Sequence, residues 1–133
     1  MDSYNLTRQE ELERILGSLF GELSKPTWVA LVDSNGFIIA CFPSDPEVDQ
    51  ERISAMTIAA VTMGERVLEE FEGENLRYMS IVGAARQSMI VRLGKERILS
   101  IGLPPGVQPQ TAFRPIQKRI PELLQVLSKR FKF

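Results

Sequence analysis

The chain has 133 residues, 44 % hydrophobic and 25 % charged, which is enough for one globular core and too little for two domains. Its net charge of −1 gives no global argument for nucleic acid or an anionic membrane. It has no histidine, so the commonest general base and transition-metal ligand is missing, and its one cysteine, Cys41, excludes an intrachain disulfide.

Residues 1–14 (MDSYNLTRQEELER) are charged and lack the apolar centre of a secretory signal. No apolar run approaches the roughly 20 residues of a membrane span. The expectation is a soluble, cytoplasmic protein forming one domain over residues 1–133, with its core at about 7–131.

Thr7-Arg8-Gln9-Glu10 has the form of a capping box. Leu12, Ile15, Leu16, Leu19, Phe20 and Leu23 follow at helical spacing, which predicts a helix over about 7–23. Gly17 and Gly21 weaken that helix and read as points of close packing against a sheet. Ser24-Lys25-Pro26 ends it.

Two apolar, β-rich runs come next, 28–33 (WVALVD) and 37–42 (FIIACF), joined by Asp33-Ser34-Asn35-Gly36. Asp opens a turn, and Asn-Gly supplies the positive φ of a tight hairpin. Both strands are apolar on both faces, as in a sheet covered by helices on its two sides. In that setting Trp28 reads as core rather than a ligand platform, and Cys41 as a buried apolar residue with no base beside it.

Pro43-Ser44-Asp45-Pro46 is a turn in which Asp45 caps and Pro46 opens a helix. The helix begins near Glu47, is clearest over 51–71 (ERISAMTIAAVTMGERVLEEF), and stops at Gly73. At about 100° per residue, Ile53, Met56, Thr57, Ala60, Val61, Gly64, Val67, Leu68 and Phe71 share a broad face that covers a core. Charge appears on the opposite face only at the ends, with Ala55, Ile58, Ala59 and Thr62 in the middle.

Two readings fit a helix apolar on both sides. One is a homodimer with antiparallel helices crossing between Ile58 and Ala59, so that Ala55 meets Thr62, Arg52 meets Glu65 and Glu51 meets Arg66. The other is a central helix packed between two layers of one subunit. The reciprocity of the seam favours the dimer.

Residues 76–82 (LRYMSIV), 88–93 (SMIVRL) and 97–102 (RILSIG) are separated by short turns and predict an antiparallel meander. The first strand, with Arg77, Tyr78 and Ser80, suits a sheet edge or an interface. Pro104, Pro105, Gly106 and Pro109 make 103–112 a stiff connection rather than a helix. Phe113, Ile116, Ile120, Leu123, Leu124, Leu127 and Phe131 give a last helical stripe, which Pro121 should kink or split. The final Lys129-Arg130-Phe131-Lys132-Phe133 reads as cations at a helix C-terminus.

The order helix, hairpin, long helix, meander, helix resembles the roadblock / dynein light chain family. The resemblance rests on VALVDSNGFIIA with its Asp-x-x-Gly turn, on ISAMTIAAVTMGERVLEEF, and on LRYMSIVGAARQSMIVRLGKERILSIGL. It covers about residues 7–131. It implies an α+β fold of order αββαβββα: a five-stranded antiparallel sheet between the central helix on one face and the terminal helices on the other, a roadblock/profilin-like layering. It also implies homodimers in which central helices pair and first meander strands join.

Members of the family typically bind Ras-like small GTPases, as regulators of hydrolysis or as scaffolds, and the gliding-motility type acts by reshaping the GTPase's own active site. On that pattern Ala55, Ile58, Ala59 and Thr62 lie at the helix pair, Tyr78 and Ser80 on the pairing strand, and Arg52, Glu65, Arg66 and Glu69 around the partner-facing surface. The Pro-rich loop and Pro121 depart from many members.

The sequence carries no GxxxxGK[ST] cradle, no GxGxxG and no close carboxylate cluster, so the chain is not itself the GTPase. Arg86, in the first meander turn, reads as a solvated turn residue rather than an arginine finger. The function expected is a non-catalytic, homodimeric platform for a Ras-like GTPase, without metal or cofactor. The alternative is a small-molecule sensor or general interaction scaffold.

Overall fold

The capping box forms: Glu10 N–H donates to Thr7 Oγ1 at 3.0 Å, and Thr7 N–H to Glu10 Oε1 at 3.3 Å. It opens α1 (Arg8–Glu22), whose Leu12, Ile15, Leu16 and Leu19 are buried. The structure, a computed structural model, describes residues 6–128. A Cβ on Gly17 would stand 3.1 Å from the Phe42 ring, so this glycine does mark a close approach to the sheet. Gly21 has open space around it and marks none.

β1 (Trp28–Asp33) and β2 (Ile38–Phe42) form the hairpin. Asp33 Oδ1 accepts from the backbone N–H of Asn35 and of Phe37, and only Gly36 has positive φ, at +88°. The turn is therefore Asp-anchored with one left-handed residue, not an Asn-Gly pair with two. Phe37 is left outside the ladder and 68 % exposed.

α2 (Gln50–Glu70) begins later than Pro46: Asp49 is the cap residue, and its side chain makes no capping bond. Its end differs from expectation too. Gly73 N–H reaches Leu68 O at 2.8 Å and Glu72 N–H reaches Glu69 O at 3.3 Å, the paired bonds of a Schellman ending. The left-handed residue is Glu72, at φ +55°. Gly73 serves close approach instead, since a Cβ there would lie 2.7 Å from Leu68 Cδ2. We expect Glu72→Gly to raise stability by about 0.5–1 kcal/mol, read as a higher thermal midpoint. A lower midpoint would contradict the left-handed assignment.

The meander is β3 (Tyr78–Val82), β4 (Gln87–Leu93) and β5 (Arg97–Leu103). The five strands form one antiparallel sheet in the order β2-β1-β5-β4-β3, with β1 docked on β5 in register Trp28↔Gly102 to Asp33↔Arg97. β2 and β3 are its edges. Gln87 Nε2 donates to Pro104 O and Val107 O, which ties the Pro-rich loop to the start of β4. Within that loop 109–112 close a 3₁₀ turn that feeds α3 (Phe113–Ser128).

Pro121 does not split α3. It and Gln117, whose carbonyl loses its helical donor, are both exposed, so the break in the ladder lies on the solvent side of the helix. The expected cationic end of this helix, residues 129–133, lies outside the described residues.

Alternate residues of β1, β4 and β5 face opposite layers. Val29, Leu31, Met89, Leu99 and Ile101 pack under α1 and α3. Trp28, Ala30, Ile90 and Ile98 pack under α2. Trp28 is core, 7 % exposed, with its indole N–H on Ser100 Oγ at 3.2 Å.

Cys41 is 4 % exposed, and burial pushes its thiol up to about 11. At pH 8 about one molecule in a thousand would then carry the thiolate. We expect the folded protein to resist a thiol-exchange dye that labels the denatured chain within minutes. Rapid labelling without denaturant would contradict this burial.

Candidate interaction surface

The central helix is apolar nearly all round, so its own sequence leaves its rotation on the sheet undetermined. The structure fixes it. Ile53, Ser54, Thr57 and Val61 are buried, with Leu68 half-buried. Ser54 can be interior because its hydroxyl donates to Glu51 O at 3.0 Å. At the other end Glu65 pairs with Arg92 of β4 at 3.2 Å and accepts from Leu76 N–H, which pins the helix to the sheet.

This rotation moves several expected residues. Met56, Val67 and Phe71, read as core, are exposed by 62 %, 45 % and 77 %, and Met63 joins them at 63 %. Ile58, read as the middle of the outer seam, is half-buried. It packs with the cluster of Val61, Ile90 and Ile98, on the side where the hairpin turn lies, near Gly36. Ala55, Ala59 and Thr62 are exposed as expected.

The rim residues separate in the same way. Arg52 and Glu69 are exposed, and neither makes an ion pair among the described residues. Arg66 pairs with Glu70 of its own helix at 3.4 Å. Glu65 is committed to Arg92 and is no free rim charge. Arg86, with a half-exposed side chain, pairs with Glu47 at 3.2 Å and so holds the β3–β4 turn to the segment before α2.

Beside the exposed stripe runs β3, whose outer edge is unpaired. Tyr78, Ser80, Ile81 and Val82 are all exposed, on both faces of the strand. Tyr78 stacks edge-on against Phe113 at 4.7 Å, on the α3 side. Met79 and Ile81 lie on the α2 side: a Cβ on Gly64 would approach Met79 Sδ to 3.4 Å, and Ile81 shares a cleft with Met56.

The surface is thus a bare strand edge and an apolar helix flank side by side. Sequence reasoning identified Tyr78 and Ser80 but missed Met63, Ile81 and Val82. Ile81-Val82 was legible as an adjacent apolar pair in an edge strand, because neighbours on a strand point to opposite faces and a bare edge cannot bury both.

Among the described residues, no three His, Cys, Asp or Glu side chains are grouped to hold a metal, and no helix is long and apolar enough to cross a membrane. What this surface offers is backbone pairing and apolar burial.

The sequence model of the Roadblock/LC7 domain matches residues 16–102. No curated protein matches the sequence. Among solved structures, a Roadblock/LC7 domain from Streptomyces avermitilis superposes with a TM-score of 0.79 at 12 % identity, over 88 % of this chain and 98 % of that one. MglB from Myxococcus xanthus gives 0.76 at 17 % identity, over 95 % and 98 %. An MglB structure with a tetrameric arrangement gives 0.79 at 10 % identity, over 91 % and 90 %. At these identities the likeness is one of fold.

Proposed function

The chain belongs to the Roadblock/LC7 domain family, and from that premise we propose that it is a homodimeric, non-catalytic platform that binds and regulates a Ras-like small GTPase. The observation that carries the dimer is the union of an unpaired edge strand with an exposed apolar helix flank. Natural edge strands are usually blunted by charge, proline or bulges. β3 instead presents Tyr78, Ile81 and Val82. A second copy satisfies strand and helix at once, because a two-fold axis through β3 continues the sheet and brings the two α2 helices together on one face.

The GTPase rests on family kinship and on likeness to MglB rather than on a catalytic feature. The paired α2 helices would present a composite surface from both copies, with Arg52, Arg66 and Glu69 around it. Such a surface acts by contact and shape, holding the GTPase's switch segments in one state.

The test has two parts. Light scattering should give about 30 kDa, twice the 15.0 kDa of one chain. Immobilised protein should then retain a cognate Ras-like GTPase in one nucleotide state in preference to the other. Equal retention of GTP-analogue and GDP forms of every candidate would remove the regulatory reading, and a mass of one chain would remove the platform.

A further inference from the structure

An apolar cleft of about 500 Å³ lies between the first half of α2 and strands β3 and β4. Val48, Met56, Ile81 and Ile90 are among its lining, and Arg52 and Arg86 are its only charged residues. The indole N–H in its wall is already given to Ser100 Oγ. The cleft therefore suits an apolar group, with Arg52 at hand for an acidic flank, Arg86 being paired with Glu47.

The other end of the same helix carries such a group. Phe71 is the most exposed large apolar side chain among the described residues, at 77 %. Glu69, Glu70 and Glu72 surround it in sequence. Phe71 cannot reach the cleft of its own chain, because even Ala60, the cleft residue nearest it on the helix, lies 11 residues and about 16 Å away.

A second copy brings the two together. This step rests on the dimer proposed above. β3 has five residues, Tyr78–Val82, with Ser80 at its centre. A two-fold axis at Ser80 exchanges Met79 with Ile81. Gly64 sits over Met79, and the turn 56–60 sits beside Ile81. The axis therefore lays Gly64 against the turn 56–60 of the second copy. About two helical turns further on, Phe71 arrives beside residues 49–53 of that copy, at the mouth of its cleft.

The geometry points to Phe71 of each copy seating in the apolar cleft beside Arg52 and Arg86 of the other, twice per dimer. Arg52, unpaired within the described residues of its own chain, then meets Glu69 and Glu70. Asp49 and Glu51 share that turn and oppose the acidic end, so the ring rather than the charge holds the contact. A partner chain without an aromatic at position 71 would leave the cleft of this chain open, so the contact favours self-pairing.

The test uses the full chain with Cys41→Ala as background. The double variant Glu51→Cys, Glu70→Cys, which keeps Arg52 and Phe71, and the single variant Ser80→Cys are each treated with a short bis-maleimide. Both should give covalent dimers, while Phe37→Cys, Glu70→Cys, with one cysteine near the far edge of the sheet, should not. In sedimentation dilution series Phe71→Ala should weaken dimerisation on the order of a hundredfold, since two rings are lost, and Phe37→Ala should leave it unchanged. If Ser80→Cys links but the Glu51 and Glu70 pair does not, or Phe71→Ala dimerises as tightly as the parent, the seating is wrong and the dimer stands. If Ser80→Cys fails to link and the parent sediments as one chain, the dimer itself is wrong, and the seating falls with it.

Discussion

Met63→Asp should produce a folded monomer. Met63 is 63 % exposed in the isolated chain, so an aspartate there meets water and costs the fold itself little. In the proposed dimer the same position lies on the helix flank beside β3, close to the two-fold axis. Two carboxylates would be buried against each other's apolar neighbours without partners. Dimerisation should weaken at least about a hundredfold, roughly 3 kcal/mol. Light scattering at micromolar concentration should then read one chain, while the circular dichroism spectrum and thermal unfolding remain those of a folded protein.

Ile58→Asp makes the contrast. Ile58 is half-buried against Val61, Ile90 and Ile98, so a charge there should lower the stability of the single chain by about 1–3 kcal/mol whatever its oligomeric state. A Met63→Asp protein that still behaves as a dimer would rule out the β3-side flank. An Ile58→Asp protein that is fully stable yet monomeric would restore the seam centred on Ile58 and Ala59.

The difference between those two residues shows where sequence stops deciding. The hairpin was legible because Asp33 and Gly36 act through bonds within five residues of each other. The start of α1 was legible for the same reason, through Thr7 and Glu10. The two-sided covering of the sheet could be read from strands such as WVALVD that never alternate. The rotation of α2 could not. Its apolar residues cover more than half the wheel, and the contacts that choose among rotations are remote in sequence: Glu65 with Arg92, and Ile58 with the cluster around Ile98. Sequence reasoning also ended α2 on Gly73, the residue type that usually takes the left-handed position after a helix. The chain places that conformation at Glu72, and Gly73, next along, lies against the Leu68 side chain. Ser54 carries no core signal in the sequence, yet its bond to Glu51 O lets it lie buried.

Gly102→Ala should be the most damaging single methyl in the protein. Gly102 lies in β5, the middle strand, paired with Trp28 on one side and Ser88 on the other. A Cβ there would stand 2.6 Å from Trp28 Cδ2 and Cε3, and closer still to Thr27 Oγ1. Neither obstacle yields easily. The Trp28 ring is held by its bond to Ser100 and by burial under α2, and Thr27 N–H is bonded to Gly102 O at 2.8 Å. Overpacking of this kind should cost about 2–4 kcal/mol, which for a chain of this length lowers the thermal midpoint by roughly 10 °C. Trp28 is the only tryptophan, so its emission reports the displacement directly. The cause can be isolated with a double-mutant cycle. In a Trp28→Leu background the ring is gone, and Gly102→Ala should cost markedly less than it does in the parent. Equal costs in both backgrounds would place the clash elsewhere, and a neutral Gly102→Ala would contradict the register that sets Trp28 against Gly102.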